Sequence, residues 1–194
     1  MPTPDQLSTE ATVAVLIAPG LEEVEALAVV DVLYRAGIDV DMLAVGEDLE
    51  ITSSHRITVR CDALLSEADL ASYTMLVLPG GLPGTPNLRS NPVVVEEVSR
   101  RMGADLPLAA ICAAPSILAE LGLLTDRRAT ANPGFLHVLD AHGAVTSQEP
   151  VVVDANLVTS RGMATAVDFG LEIVRMLLDE EAVDRLKAAI VHQG

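Results

Sequence analysis

Short apolar runs alternate along the chain with longer stretches of helical period, the signature of βα units that build a mostly parallel sheet. Residues 12–18 are apolar at nearly every position and predict a buried strand. Pro19 and Gly20 turn the chain. Residues 22–35 then show helical period, with acids in the first turns and Gly37 just past the end. Residues 40–45 predict a second strand. Residues 51–60 are more polar and alternate near their end, which predicts a small hairpin at a sheet edge. Residues 75–78 are another buried strand, ending in the glycine-rich stretch 79–84, and Asn91 stands as a cap before a helix over residues 92–102. Residues 106–111 are again apolar, and helical pattern resumes directly after Cys112, closed by Gly122. Beyond it come short strands, a short helix near residues 135–142, a second hairpin at 151–153 and 157–159, and two helices over 163–178 and 180–191.

Length and composition bound the picture. With 194 residues, half of them hydrophobic, the chain suits one domain with a substantial core. The expectation is a single domain over residues 11–194 behind a loose tail at residues 1 to about 10. No apolar run reaches the roughly 18 residues of a membrane span, and the polar N-terminus lacks the order of a signal peptide. A cytoplasmic location follows as an expectation, with Cys61 and Cys112 as free thiols. The formal net charge of −16 repels phosphate backbones and anionic membranes, so neither nucleic acid nor membrane is an expected partner. The same acidic, lysine-poor composition suits either concentrated salt or an ordinary acidic protein.

The strongest chemical signal is Cys112. An apolar strand runs into a helix with no loop between, so the residue at the junction must take a strained turn that exposes its side chain. A thiol there would face helix N–H groups, which predicts a lowered pKa. Glu25 is second. Ala28, Val29 and Val32 follow it on the same helix face, so its carboxyl should be desolvated, its pKa raised, and the acid able to move protons. Glu22 and Glu23 are expected only to complement the helix dipole. Gly80 and Gly81 follow a buried strand and could bring backbone N–H groups close to a bound group. His137 and His142 read as surface residues, Cys61 as a packed thiol, and His55 joins no metal set. No nucleotide signature and no metal or organic cofactor is indicated.

Residues 18–26 (APGLEEVEA), 77–81 (VLPGG), 109–115 (AAICAAP) and 159–162 (TSRG) together resemble the ThiJ/PfpI superfamily, in particular the branch of the Parkinson-disease-associated deglycase and its bacterial relatives. The resemblance runs from about Val13 to Leu178. It implies an α/β, flavodoxin-like three-layer sandwich with a cysteine nucleophile elbow. Cys112 matches the family nucleophile, Glu25 its acid partner, and Gly81 and Ala113 the backbone oxyanion donors. Gly80, Asn132, Arg161 and Met163 are candidates to line the pocket. The resemblance also implies a homodimer, in which His55-Arg56 falls where relatives place an arginine that crosses the interface. Two departures stand out. Asn132 occupies a position where some relatives carry a histidine, which removes a Cys-His dyad. Met163 stands where a proline commonly follows the glycine.

The implied function is a cofactor-free glyoxalase or deglycase, a lyase or hydrolase acting on methylglyoxal and related small reactive carbonyls through a Cys112 hemithioacetal. A redox sensor or chaperone, with Cys112 oxidised to sulfinate, uses the same two residues. A peptidase or amidase ranks third and is weakened by Asn132; a hydratase of small nitrogen compounds is more distant.

Overall fold

The computed structural model describes residues 10–193, so all of the expected tail but Glu10 lies outside the described residues. The strands are β1 (Thr12–Ile17), β2 (Asp39–Ala44), β3 (Glu50–Thr52), β4 (Thr58–Arg60), β5 (Ala63–Leu64), β6 (Met75–Leu78), β7 (Leu108–Ile111), β8 (Arg128–Ala129), β9 (Val145–Thr146), β10 (Val151–Asp154) and β11 (Leu157–Ser160). The helices are α1 (Glu23–Arg35), α2 (Gly84–Ser90), α3 (Pro92–Gly103), α4 (Pro115–Glu120), α5 (Leu136–Ala141), α6 (Ala166–Leu177) and α7 (Glu180–Ala189).

Seven strands form the central sheet in the order β10-β11-β7-β6-β1-β2-β5. All pairs are parallel except β10 with β11. Because strand side chains alternate between faces, β1 feeds two cores. Val13, Val15 and Ile17 pack with α1, α6 and α7, whereas Ala14 and Leu16 pack with α3, α4 and α5. The result is the expected three-layer α/β sandwich.

The topology also places the site. From β1 the chain moves to β2 on one side, then returns to β6 on the other, so the strand order reverses between β1 and β6. The C-terminal ends of strands at such a reversal leave a crevice where open α/β sheets bind ligands. The segments that follow β1, β6, β7 and β11 carry Glu25, Gly80, Cys112 and Gly162.

Two local expectations need correction, and one helix, α2, stands where the sequence pattern predicts no element. The hairpin at residues 51–60 forms as β3 and β4, but as a separate two-stranded sheet; β5 takes the edge of the main sheet. Helix α2 follows the glycine-rich stretch, where Pro83, Gly84 and Pro86 read as turn residues; Thr85 N–H donates to Gly81 C=O at 2.9 Å to start it. The helix expected from Met163 begins with a 3-10 turn, Met163–Thr165, before α6.

Candidate active site

Cys112 occupies the turn between β7 and α4 with φ +65°, a left-handed conformation uncommon for a side chain larger than glycine's. Hydrogen bonds on both arms of its backbone hold it there. Its N–H donates to Ser160 C=O on β11 at 2.9 Å, and its C=O accepts the Asn132 N–H at 2.9 Å. Ala113 and Ala114 are buried, so the chain folds tightly under the turn and the thiol projects, half-buried, at the C-terminal edge of the sheet.

Glu25 lies in the first turn of α1 and is 1% exposed. Glu22 caps that helix: its Oε2 accepts the Glu25 N–H at 2.7 Å. The Glu25 carboxyl reaches across to the neighbouring strand ends. Its Oε2 accepts the Gly80 N–H at 3.0 Å, and it also bonds the Met163 N–H and the Cys112 thiol. Burial pushes the carboxyl up to about 7, the Cys112 bond opposes that, and the charge of Glu22 adds to it. Glu22 therefore does more than complement the helix dipole, which is all its sequence position indicated.

The thiol moves opposite to the direction expected from its turn. Burial, followed by the charge and hydrogen bond of Glu25, pushes Cys112 up to about 12; the N–H groups of Ala113 and Gly81 pull the other way. The helix dipole loses because α4 has six residues and starts only at Pro115, whereas the carboxylate touches the sulfur. The two groups form one coupled acid, and a thiolate becomes accessible when Glu25 holds the proton.

Gly80 and Gly81 close the other side. A Cβ on Gly80 would stand 2.6 Å from both Cys112 Cβ and Glu25 Oε2, so only glycine lets the acid and the thiol meet there. Gly80 is buried against the pair. Asn132, Arg161 and Met163 do line a cavity of about 280 Å³, together with Gly162. Arg161 donates to Gln148 C=O at 3.0 Å, and its buried Nε has no partner among the described residues. Gly162 packs directly over the pair; it lay within the quoted TSRG motif, but nothing in the sequence separated it from its neighbours.

Other candidates lie outside. His55 Nδ1 bonds Glu23 Oε2 at 3.1 Å within the same chain, and Glu22 joins them, with one ligand atom from each residue within 4.8 Å of the others. The separation of His55 from the two acids along the chain hid this donor set. Burial pushes the Cys61 thiol up to about 11. His137 and His142 are exposed.

The sequence pattern of the DJ-1/PfpI family matches residues 11–176. The chain is similar to protein DJ-1 homolog B of Arabidopsis thaliana, 38% identical over 95% of this chain and 42% of that protein, so it spans less than half the length of that relative. It is also similar to the Caenorhabditis elegans glutathione-independent glyoxalase DJR-1.2, 27% identical over 93% of this chain and 96% of that protein. The crystal structure of Drosophila melanogaster DJ-1beta superposes with a TM-score of 0.91 at 30% identity, covering 96% of this chain and 100% of that one. The match over most of the chain, in sequence and in fold, makes it a member of the DJ-1/PfpI family.

Proposed function

We propose that the protein is a cofactor-free, cysteine-dependent glyoxalase that converts methylglyoxal or a related reactive carbonyl to the hydroxy acid. The observation that carries this reading is the contact between Glu25, with a pKa near 7, and the half-buried thiol of Cys112. An acid of that strength both takes and gives protons at neutral pH. Family membership and the glyoxalase name of the nematode relative support the same reading.

In this mechanism the Glu25 carboxylate takes the thiol proton as Sγ attacks the aldehyde carbon. The oxygen that becomes negative is stabilised by the N–H groups of Gly81 and Ala113 and then receives the proton, giving a hemithioacetal. Glu25 next removes the hydrogen on that carbon and delivers it to the adjacent carbon, while the new hydroxyl's proton passes to the ketone oxygen; the ketone becomes the hydroxyl and the attacked carbon becomes the thioester carbonyl. Water hydrolyses the thioester to lactate and restores the thiol. The protein acts as a homodimer on a small substrate, without nucleic acid; no helix among the described residues is long and apolar enough to cross a membrane.

The test is lactate formation from methylglyoxal, with Cys112→Ala and Glu25→Gln beside the wild type. Wild-type turnover that both variants lose is expected; wild type no faster than Cys112→Ala overturns the reading. The same N–H donors and protonated Glu25 suit the oxygens of a Cys112 sulfinate, which keeps redox sensing as the second reading.

A further inference from the structure

Three functional groups surround the side of Gly162 on which another residue would carry its side chain. A Cβ there would stand 3.6 Å from Asn132 Nδ2, 3.6 Å from Glu25 Oε1 and 3.9 Å from Cys112 Sγ. The amide, the acid and the nucleophile thus converge on one side of Gly162, where the missing side chain leaves all three unobstructed. The amide is oriented. Asn132 Oδ1 accepts the Gly134 N–H at 3.0 Å, which leaves the Nδ2 arm turned toward the opening. The backbone of Asn132 is tied to the nucleophile as well, through its N–H to Cys112 C=O at 2.9 Å. The amide and the thiol are thereby held in one frame.

The site then has hydrogen-bond donors in two places. Gly81 and Ala113 N–H lie at the sulfur, where the attacked carbonyl oxygen forms. Asn132 Nδ2 lies beyond it, beside the cavity of about 280 Å³ that also holds Met163 and Arg161. A simple aldehyde uses only the first. We propose that Asn132 is a specificity-determining residue whose Nδ2 donates to an oxygen on the carbon adjacent to the aldehyde, so that Cys112 selects 1,2-dicarbonyl compounds over simple aldehydes.

This rests on the carbonyl reading of the site, and it concerns the first step alone. In that step the C–S bond forms, the carbon–oxygen π bond breaks, and the thiol proton passes through Glu25 to the new hydroxyl, so the adduct keeps every atom of both reactants. A 1,2-dicarbonyl leaves its second oxygen at Asn132 Nδ2, on the side of the cavity that Asn132 lines. A ligand lacking that oxygen leaves the amide donor unsatisfied, and unsatisfied polar groups are what give hydrogen-bonding sites their discrimination.

The experiment measures reversible protection of Cys112 from iodoacetamide by methylglyoxal and by propanal, which share a three-carbon skeleton and differ in the second oxygen. Labelling is read on the Cys112 peptide by mass spectrometry. The ratio of the two affinities is compared among wild type, Asn132→Ala and Asn132→Asp. Asn132→Asp keeps an acceptor for the Gly134 N–H, so it remains informative where the alanine variant fails to fold. The expected result is that the methylglyoxal-to-propanal ratio falls roughly tenfold in both variants, the scale of one lost hydrogen bond. An unchanged ratio, with both aldehydes still protecting Cys112, overturns the role of Asn132 and leaves the carbonyl reading standing. Failure of methylglyoxal to protect wild-type Cys112 overturns both.

Discussion

Glu25 hydrogen-bonds Cys112 across the gap between the first helix and the end of β7, and the contact keeps the proton on sulfur while the carboxylate is ionised. The pair therefore loses its first proton near pH 7 and its second near pH 12. Glu25→Gln removes the negative charge beside the sulfur. The thiol pKa in that variant is expected to fall below the wild-type value, read from thiolate absorbance against pH. Iodoacetamide should then label Cys112 faster at pH 8 even though turnover is lost. A thiol pKa that rises in Glu25→Gln would contradict the coupling.

Stability should follow the same group. The folded pKa of Glu25, about 7, lies above its ordinary 4.5, so the fold favours the protonated acid. That contribution is complete below pH 4.5 and is lost as the pH rises through 7. Glu25→Gln stays neutral throughout and should be more stable than wild type above pH 7, by up to about 3 kcal/mol. Urea unfolding of both proteins at pH 4.5 and pH 8.5 checks this: the gap should open only at the higher pH.

Gly80→Ala should separate the two groups. Its Cβ would meet Cys112 Cβ and Glu25 Oε2 at 2.6 Å and Ile111 C=O at 3.0 Å, and buried backbone cannot yield as a long side chain can. A loss of about 1–3 kcal/mol is expected from overpacking. The variant should also shift the titration near pH 7, because the carboxyl is driven off the thiol. Wild-type titration in Gly80→Ala would show that the glycine is not what permits the contact.

Sequence reveals the site where its signals are local. Cys112 stands out because an apolar strand meets a helix with no residues to spare, and the strained turn at φ +65° follows from that junction. Glu25 stands out because an acid shares a helix face with Val29 and Val32, both buried. The direction of the thiol pKa is not local. It depends on a carboxylate delivered from α1, and the dipole of the following helix points to the opposite answer. The donor set of Glu22, Glu23 and His55 is hidden for the same reason, since the β3–β4 hairpin brings the imidazole to the start of α1. Helix α2 escapes because its prolines and glycine read as a turn; its first hydrogen bonds depend on glycines of two separate loops, Gly84 N–H to Gly20 C=O and Thr85 N–H to Gly81 C=O.

Arg101 carries the largest structural prediction away from the site. It is 1% exposed, and its guanidinium donates to the carbonyls of Leu70, Tyr73, Thr74 and Pro107 and to Glu97 Oε1. Those carbonyls lie on the segments that enter β6 and β7, so one side chain from α3 fixes the starts of both strands that end at Gly80 and Cys112. Arg101→Met leaves the carbonyls without these donors and leaves the buried Glu97 with Arg100 alone. The expected cost is about 3–5 kcal/mol, the range for breaking one side of a buried pair. Arg101→Lys keeps the charge but offers three donors in place of the guanidinium's five, so it should fall between wild type and Arg101→Met. Urea unfolding midpoints of the three proteins, with Arg101→Met/Glu97→Gln as a fourth, test the assignment. Partial recovery in the double variant is expected, because it removes the uncompensated charge, and no recovery would place the cost in the carbonyls alone.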